Sequence, residues 1–265
     1  ANGQPEKGEG EGVLRDVLTH FWHGFFTTLS IGGTEETPHI RHDLRKLEWQ
    51  AIARVLVFGY KNAKYFPVLL SQSFILCCLF GEESMDKEFL LKSYRCYVAA
   101  DDRKVLDMVQ SKEFDSNDED LLDFLSASRC FKAPTVENIA SIIFELAHQE
   151  LIQKPRYISN CWSPILKLLQ SGPDSTFKTP AGVTQVYEKK HPTAKKVNKL
   201  FHADISNDAE RQSMDHLKRY VKSLEGKALE RFLHFITGSD VLTCDSIEVL
   251  FTNLDGLQRR PIVHT

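Results

Sequence analysis

Hydrophobic residues recur at helical spacing along most of this 265-residue chain. The first run places Val13, Val17, Phe21 and Phe25 four positions apart, which predicts one face of a helix. Glycine and proline clusters interrupt the runs, as expected at turns. The further predicted helices span 44–60, 67–80, 84–99, a stretch capped by Asp101 or Asp102, 118–125, 134–151 continuing to about 170, and short stretches from Thr193 onward.

The C-terminal part changes from a helical to an alternating pattern. Leu229, Phe232, Leu233 and Ile236 form one helical stripe, and Gly238 stands where a left-handed cap would end the helix. Segment 246–252 then alternates with period two and is rich in β-branched residues, which predicts a half-buried strand. The pattern as a whole predicts a mainly α fold with a smaller α+β part.

Composition limits the function classes. A hydrophobic content of 42% is enough for a sizeable core, and the net charge of −3 disfavours nucleic-acid binding. No apolar run reaches the roughly 18 residues that span a bilayer, and the N-terminal residues do not resemble a signal peptide. Residues 1–12 are rich in glycine and glutamate, so we expect a disordered linker there. We therefore expect a cytoplasmic or nuclear protein that contacts neither nucleic acid nor membrane.

The six cysteines lack the spacing of a disulfide framework, and no Cys-x-x-Cys pair occurs. Cys77 and Cys78 stand in the most apolar predicted helix, where we expect core packing. His20 and His23 are three positions apart on a predicted helix but have no third ligand in the sequence nearby. The sequence therefore predicts no metal site. The lysine-rich stretch 189–199 is expected to be a solvated face rather than a patch that binds an acidic partner.

Two motifs near the C-terminus occur in a fixed order. The predicted helix ends in Phe-x-Thr-Gly-Ser, and Pro-x-x-His-Thr follows at the end of the chain. The residues that carry these motifs are Phe235, Thr237, Gly238, Ser239, Pro261, His264 and Thr265. Upstream, Trp49 to Tyr60, Phe66-Pro67 and Phe80-Gly81-Glu82 also stand in order. From about residue 13 onward, this arrangement resembles the HECT domain of ubiquitin ligases.

The resemblance implies a bilobal architecture. It divides the chain into a linker at 1–12, a mostly helical N-lobe at 13–205 and a partial C-lobe at 206–265. In HECT ligases a cysteine directly after His-Thr accepts ubiquitin as a thioester from a conjugating enzyme and passes it to a substrate lysine. The nucleophile is thus expected immediately after Thr265, flanked by His264, and residues 1–265 alone are expected to be inactive. No cofactor is implied.

The resemblance also implies partners and leaves alternatives. The expected partners are a ubiquitin-conjugating enzyme, ubiquitin and protein substrates. Leu121, Leu122, Ile142 and Leu146 lie where the family docks the conjugating enzyme. Cys244 is a weak second candidate for the nucleophile, because it precedes the predicted strand instead of following His-Thr. A non-catalytic HECT-derived interaction scaffold is the main alternative function, and an unrelated helical adaptor is a third.

Overall fold

The computed structural model describes residues 11–111, 115–171 and 175–251. Over these residues the chain is mainly helical, with four short strands. The α-helices are α1 Glu11–Thr28, α2 Lys46–Ala63, α3 Gln72–Phe80, α4 Lys87–Tyr97, α5 Ala100–Ser111, α6 Glu119–Ala127, α7 Ile139–His148, α8 Arg156–Leu166, α9 Pro180–Lys190, α10 Ala194–Leu200, α11 Asp208–Lys222 and α12 Gly226–Thr237. The strands are β1 Ser30–Gly32, β2 Glu36–Pro38, β3 Phe201–His202 and β4 Ile247–Glu248. Within these residues no helix is both long and apolar enough to cross a membrane.

The described residues group into two compact units. The terminal unit comprises 11–23, 58–67 and 186–251, and the central unit comprises the described residues of 24–57 and 68–185. Residues 186–205 belong to the same unit as the residues that follow 206. The lobe boundary at 205 and 206 and the linker at 1–12, most of which lies outside the described residues, stay predictions.

The terminal unit combines helices α10, α11 and α12 with a small parallel strand pair. Its core cluster consists of Val197, Phe201, Met214, Val221, Leu229, Leu233 and Leu242. Strand β3 pairs with β4 in register Phe201 to Ile247, and the Val249 amide also donates to the carbonyl of His202 at 2.8 Å. Helices and short strands share one core here.

The predicted strand at 246–252 is shorter in the structure, which pairs only Ile247–Glu248. The reason is that its partner β3 is itself only two residues long. The predicted alternation is nevertheless present, because Ile247, Val249 and Phe251 pack against the core cluster while Leu250 is exposed. Thr252 lies outside the described residues.

The central unit contains an apolar cluster built mainly by α4, α5, α6 and α7. Asp118 caps α6 by accepting the Leu121 amide at 3.0 Å, which confirms the short acidic helix predicted there. Ile139, Ile143 and Leu146 are buried along α7. Val136, which the predicted helix at 134–151 places on the same apolar face, instead precedes α7 and exposes 72% of its surface. The helix then continues through a π-helical turn at Gln149–Gln153, which buries Leu151. Beside this cluster, β1 and β2 form a small antiparallel hairpin.

Helix α1 confirms the helical spacing, but three residues of its predicted apolar face are exposed. Val13, Val17 and Phe21 expose 44%, 58% and 37% of their surface, whereas Phe25 is buried. Within the terminal unit, this helix buries Thr19 and Trp22 completely. A strict four-residue spacing drifts around a helix of 3.6 residues per turn, so it cannot follow one buried face over 12 residues.

Candidate functional site

The Thr-Gly-Ser motif forms the turn that ends α12. Thr237 and Ser239 are buried, and their hydroxyl groups bond to backbone within the turn. Thr237 Oγ1 donates to the carbonyl of Leu233 at 2.8 Å and accepts the Ser239 amide at 3.2 Å. Ser239 Oγ donates to the carbonyl of Val241 at 2.9 Å and accepts the amide of that residue at 3.2 Å. Both side chains therefore hold the backbone of the turn through hydrogen bonds within it.

Two features of the backbone geometry require glycine at position 238. Its φ of 75° lies in the left-handed region, which confirms the predicted cap. A Cβ atom at this position would also lie 2.5 Å from the carbonyl oxygen of Gly12 on α1. The motif thus brings the end of α12 into backbone contact with α1.

Asp240 follows the motif directly and collects hydrogen bonds from three side chains. Tyr65 donates to Asp240 Oδ1 at 2.9 Å, and Thr19 lies 3.5 Å from the same oxygen. His23 Nε2 lies 3.1 Å from Asp240 Oδ2. Burial, followed by the charge of Asp240, raises the pKa of the Tyr65 phenol well above its usual range. Tyr65 therefore remains a hydrogen-bond donor at neutral pH.

A second histidine–carboxylate group lies on the same two helices. His234 Nε2 on α12 lies 2.7 Å from Asp16 Oδ1 on α1, and His20 Nδ1 lies 3.4 Å from the same oxygen. The rings of His20 and His234 meet edge to face with centroids 5.5 Å apart. His20 and His23, which are three positions apart in the sequence, therefore contact different carboxylates. His20 lies next to Asp16, and His23 lies next to Asp240.

The other residues of the two predicted motifs do not lie in this turn or are outside the described residues. Phe235 exposes 57% of its surface on the opposite side of α12 from the buried Leu233. Pro261, His264 and Thr265, together with the expected nucleophile position, lie outside the described residues. The structure accordingly brings together Thr237, Gly238 and Ser239 of the predicted site.

The predicted docking residues differ sharply in exposure. Leu121, Ile142 and Leu146 are buried in the central unit, so their side chains offer no contact surface to a partner. Leu122 is the exception, with 41% exposed, and two other large apolar side chains in the same segment are more exposed, Phe131 at 89% and Val136 at 72%. The exposed large apolar side chains of this segment therefore include Leu122, Phe131 and Val136.

The described cysteines do not have the environment of an activated nucleophile. Burial raises the pKa of the Cys244 thiol, although Arg15 acts in the opposite direction. Cys77 lines an open cavity of about 490 Å³ with Glu82, Arg156 and other residues, and burial raises the pKa of its thiol as well. Neither thiol is converted to thiolate by its surroundings, which disfavours Cys244 as the transfer residue.

The lysine-rich stretch contributes to internal structure as well as to the surface. Lys196 Nζ donates to the carbonyl of His191 at 2.9 Å and also to that of Glu188. Burial lowers the pKa of the half-buried Lys190, and its carbonyl accepts the Leu242 amide at 3.0 Å. These two lysines are therefore not part of a simple solvated face.

Sequence reasoning missed Asp16, Tyr65, His234 and Asp240. Asp16 and His20 are four positions apart and Asp240 directly follows Thr-Gly-Ser, so a local signal existed for part of this group. Tyr65 and His234 had none, because 175 and 218 positions separate them from their partners Asp240 and Asp16. Comparison with protein-family models, curated proteins and solved structures gives no match for this chain.

Proposed function

We propose that this chain is part of a HECT-type ubiquitin ligase whose acceptor cysteine directly follows Thr265. The single observation that carries the proposal is the Thr237-Gly238-Ser239 turn. The left-handed φ of Gly238 and the nearby Gly12 carbonyl both require glycine at this position. The hydroxyl groups of Thr237 and Ser239 both donate hydrogen bonds to backbone carbonyls. Each residue of the motif thus has a structural role, which supports a folded C-lobe element rather than a chance match of letters.

The proposed chemistry is thioester exchange. The cysteine thiolate attacks the thioester carbonyl of ubiquitin on the conjugating enzyme, and the thiol of that enzyme leaves with a proton. A substrate lysine amine then attacks the new thioester, which forms the amide and releases the cysteine. In this account the turn at 237–239 positions the chain that leads through β4 toward the nucleophile.

The proposed docking surface for the conjugating enzyme is the exposed apolar set Leu122, Phe131 and Val136. We expect these exposed side chains to form one apolar patch, because such a patch is a common mark of a protein interface. The expected occupant is a ubiquitin-conjugating enzyme, because the resemblance places its docking in this segment.

The test is a thioester assay on the gene product that continues past Thr265, with ubiquitin, activating enzyme and a panel of conjugating enzymes. We expect a ubiquitin adduct that reductant removes and that disappears when the residue after Thr265 is replaced by alanine. Leu122→Glu combined with Phe131→Glu should abolish the adduct, whereas the matched exposed changes Val13→Glu and Val17→Glu should keep it. If folded protein gives no adduct with any panel member, the chain is a scaffold and the ligase proposal is wrong.

A further inference from the structure

We propose that Asp16, His20 and His234 form a binding site for a divalent transition-metal ion, with Zn²⁺ as the expected occupant. Their candidate ligand atoms, one from each side chain, all lie within 4.8 Å of one another. The three residues all belong to the terminal unit and come from α1 and α12. The proposal is independent of the ubiquitin ligase function.

The two distances from Asp16 to the histidines are close to those around a tetrahedral ion. Zn²⁺ binds histidine nitrogen and carboxylate oxygen at about 2.0–2.2 Å, which separates neighbouring ligand atoms by about 3.3 Å. Asp16 Oδ1 lies 3.4 Å from His20 Nδ1 and 2.7 Å from His234 Nε2. The first separation already matches, and the second is a hydrogen bond that must open by about half an ångström when an ion replaces its proton.

Backbone geometry holds the three residues in place without the ion. Asp16 and His20 are one helical turn apart, so their side chains project from the same face of α1. The Gly238 contact with Gly12 brings the end of α12 against the first turns of α1, and His234 lies one turn before that glycine. The fold therefore brings the three side chains together, and an ion must displace the hydrogen bonds that His20 and His234 make in its absence.

Ligand type and exposure indicate the class of ion. Two imidazoles and one carboxylate favour Zn²⁺, Cu²⁺ or Ni²⁺ over Ca²⁺ and Mg²⁺, which prefer oxygen ligands. The side chains of His20 and Asp16 are 68% and 49% exposed, so water can reach the fourth position. Three protein ligands with one position open to water is an arrangement that zinc accepts.

Metal binding requires each of the two histidine rings to present an unprotonated nitrogen to the ion. His20 Nδ1 lies 3.0 Å from the backbone carbonyl of Asp16, to which a protonated Nδ1 donates. An ion bound at Nδ1 breaks this hydrogen bond and requires the ring proton to be on Nε2. The ring of His234 must likewise present an unprotonated Nε2 to the ion. Zn²⁺ bound at these nitrogens therefore replaces the hydrogen bonds that the two rings make without the ion.

The test is titration of the untagged, folded chain with ZnCl₂ by isothermal calorimetry at pH 7.5. We expect one bound equivalent and a melting temperature that rises with Zn²⁺ concentration. His20→Ala and His234→Ala should each weaken binding by at least about tenfold, in line with the loss of one ligand. His216→Ala removes an exposed histidine from α11 of the same unit and should leave affinity unchanged.

Two results would overturn the proposal: no heat of binding by the wild-type chain, or equal Zn²⁺ affinity in wild type and a folded His20→Ala variant. Because the His20 side chain is largely exposed, this variant is expected to fold even if His234→Ala does not. CaCl₂ serves as the control titrant and should give no binding that depends on His20.

Discussion

The turn at 237–240 in the terminal unit and the α6–α7 core in the central unit are stabilised in different ways. The turn depends on directed polar contacts, in which Thr19, Tyr65 and His23 converge on Asp240. The α6–α7 core depends on apolar side chains such as Leu121 and Leu146 that repeat along their helices. Polar geometry is sensitive to single atoms, whereas apolar packing depends on volume, so the two regions should respond differently to substitution.

The largest expected loss of stability comes from the α6–α7 core. Leu146→Ala should lower the free energy of unfolding by about 2–5 kcal/mol, because it removes buried methyl groups and leaves a cavity. Leu122→Ala makes the same chemical change at an exposed position of α6 and should cost less than about 1 kcal/mol. Urea denaturation measures both, and equal losses would contradict the assignment of buried and exposed faces.

The next largest effect is expected at the turn. Gly238→Ala should cost about 2–3 kcal/mol, since alanine disfavours a left-handed φ and its Cβ would meet the Gly12 carbonyl. Gly226→Ala is the matched control, because Gly226 also has a positive φ but open space around it. The control should cost about 1 kcal/mol. Comparable losses in the two variants would mean that the contact with α1 contributes nothing.

A smaller effect is expected from the hydrogen bond on Asp240. Tyr65→Phe should lower the free energy of unfolding by about 1.5 kcal/mol, the usual value for removing a donor from a charged acceptor. Tyr220→Phe, at an exposed position of α11, should be close to neutral. A double-mutant cycle with Asp240→Asn checks the pairing, and additive losses would refute it.

The smallest effect concerns the partly buried carboxyl group of Glu35 in the central unit. Burial raises the pKa of Glu35, and hydrogen bonds from Ser93 and the Gln72 amide, together with the charge of Lys92, offset this only in part. Between the unfolded pKa near 4 and the higher folded pKa, the folded state binds more protons than the unfolded state. The free energy of unfolding should therefore fall as the pH rises through this window.

Glu35→Gln removes this titration while keeping an acceptor oxygen. The stability of wild type minus that of the variant should decrease as the pH rises from about 4 and then level off. Thermal unfolding from pH 3.5 to 7.5 measures the difference, and Glu83→Gln at a surface position is the control. A difference that increases with pH would show that the hydrogen bonds outweigh burial at Glu35.

Sequence patterns predicted the elements that depend on local rules. The short acidic helix at 118–125 and the left-handed Gly238 are confirmed, because each depends on residues within a few positions of one another. The exposed Val17 shows where periodicity fails, since the pattern does not tell which side of an apolar helix is covered. The contact of His234 with Asp16 joins residues 218 positions apart, and no local rule reports it.

The measurement that tests the central claim most directly is the intact mass of the gene product that continues past Thr265, after reaction with ubiquitin-loaded conjugating enzyme. The account predicts a mass increase of one ubiquitin less one water. It also predicts that excess thiol reverses the increase and that replacing the residue after Thr265 by alanine abolishes it. A folded protein whose mass does not change, or whose adduct survives thiol treatment, would contradict the ligase account.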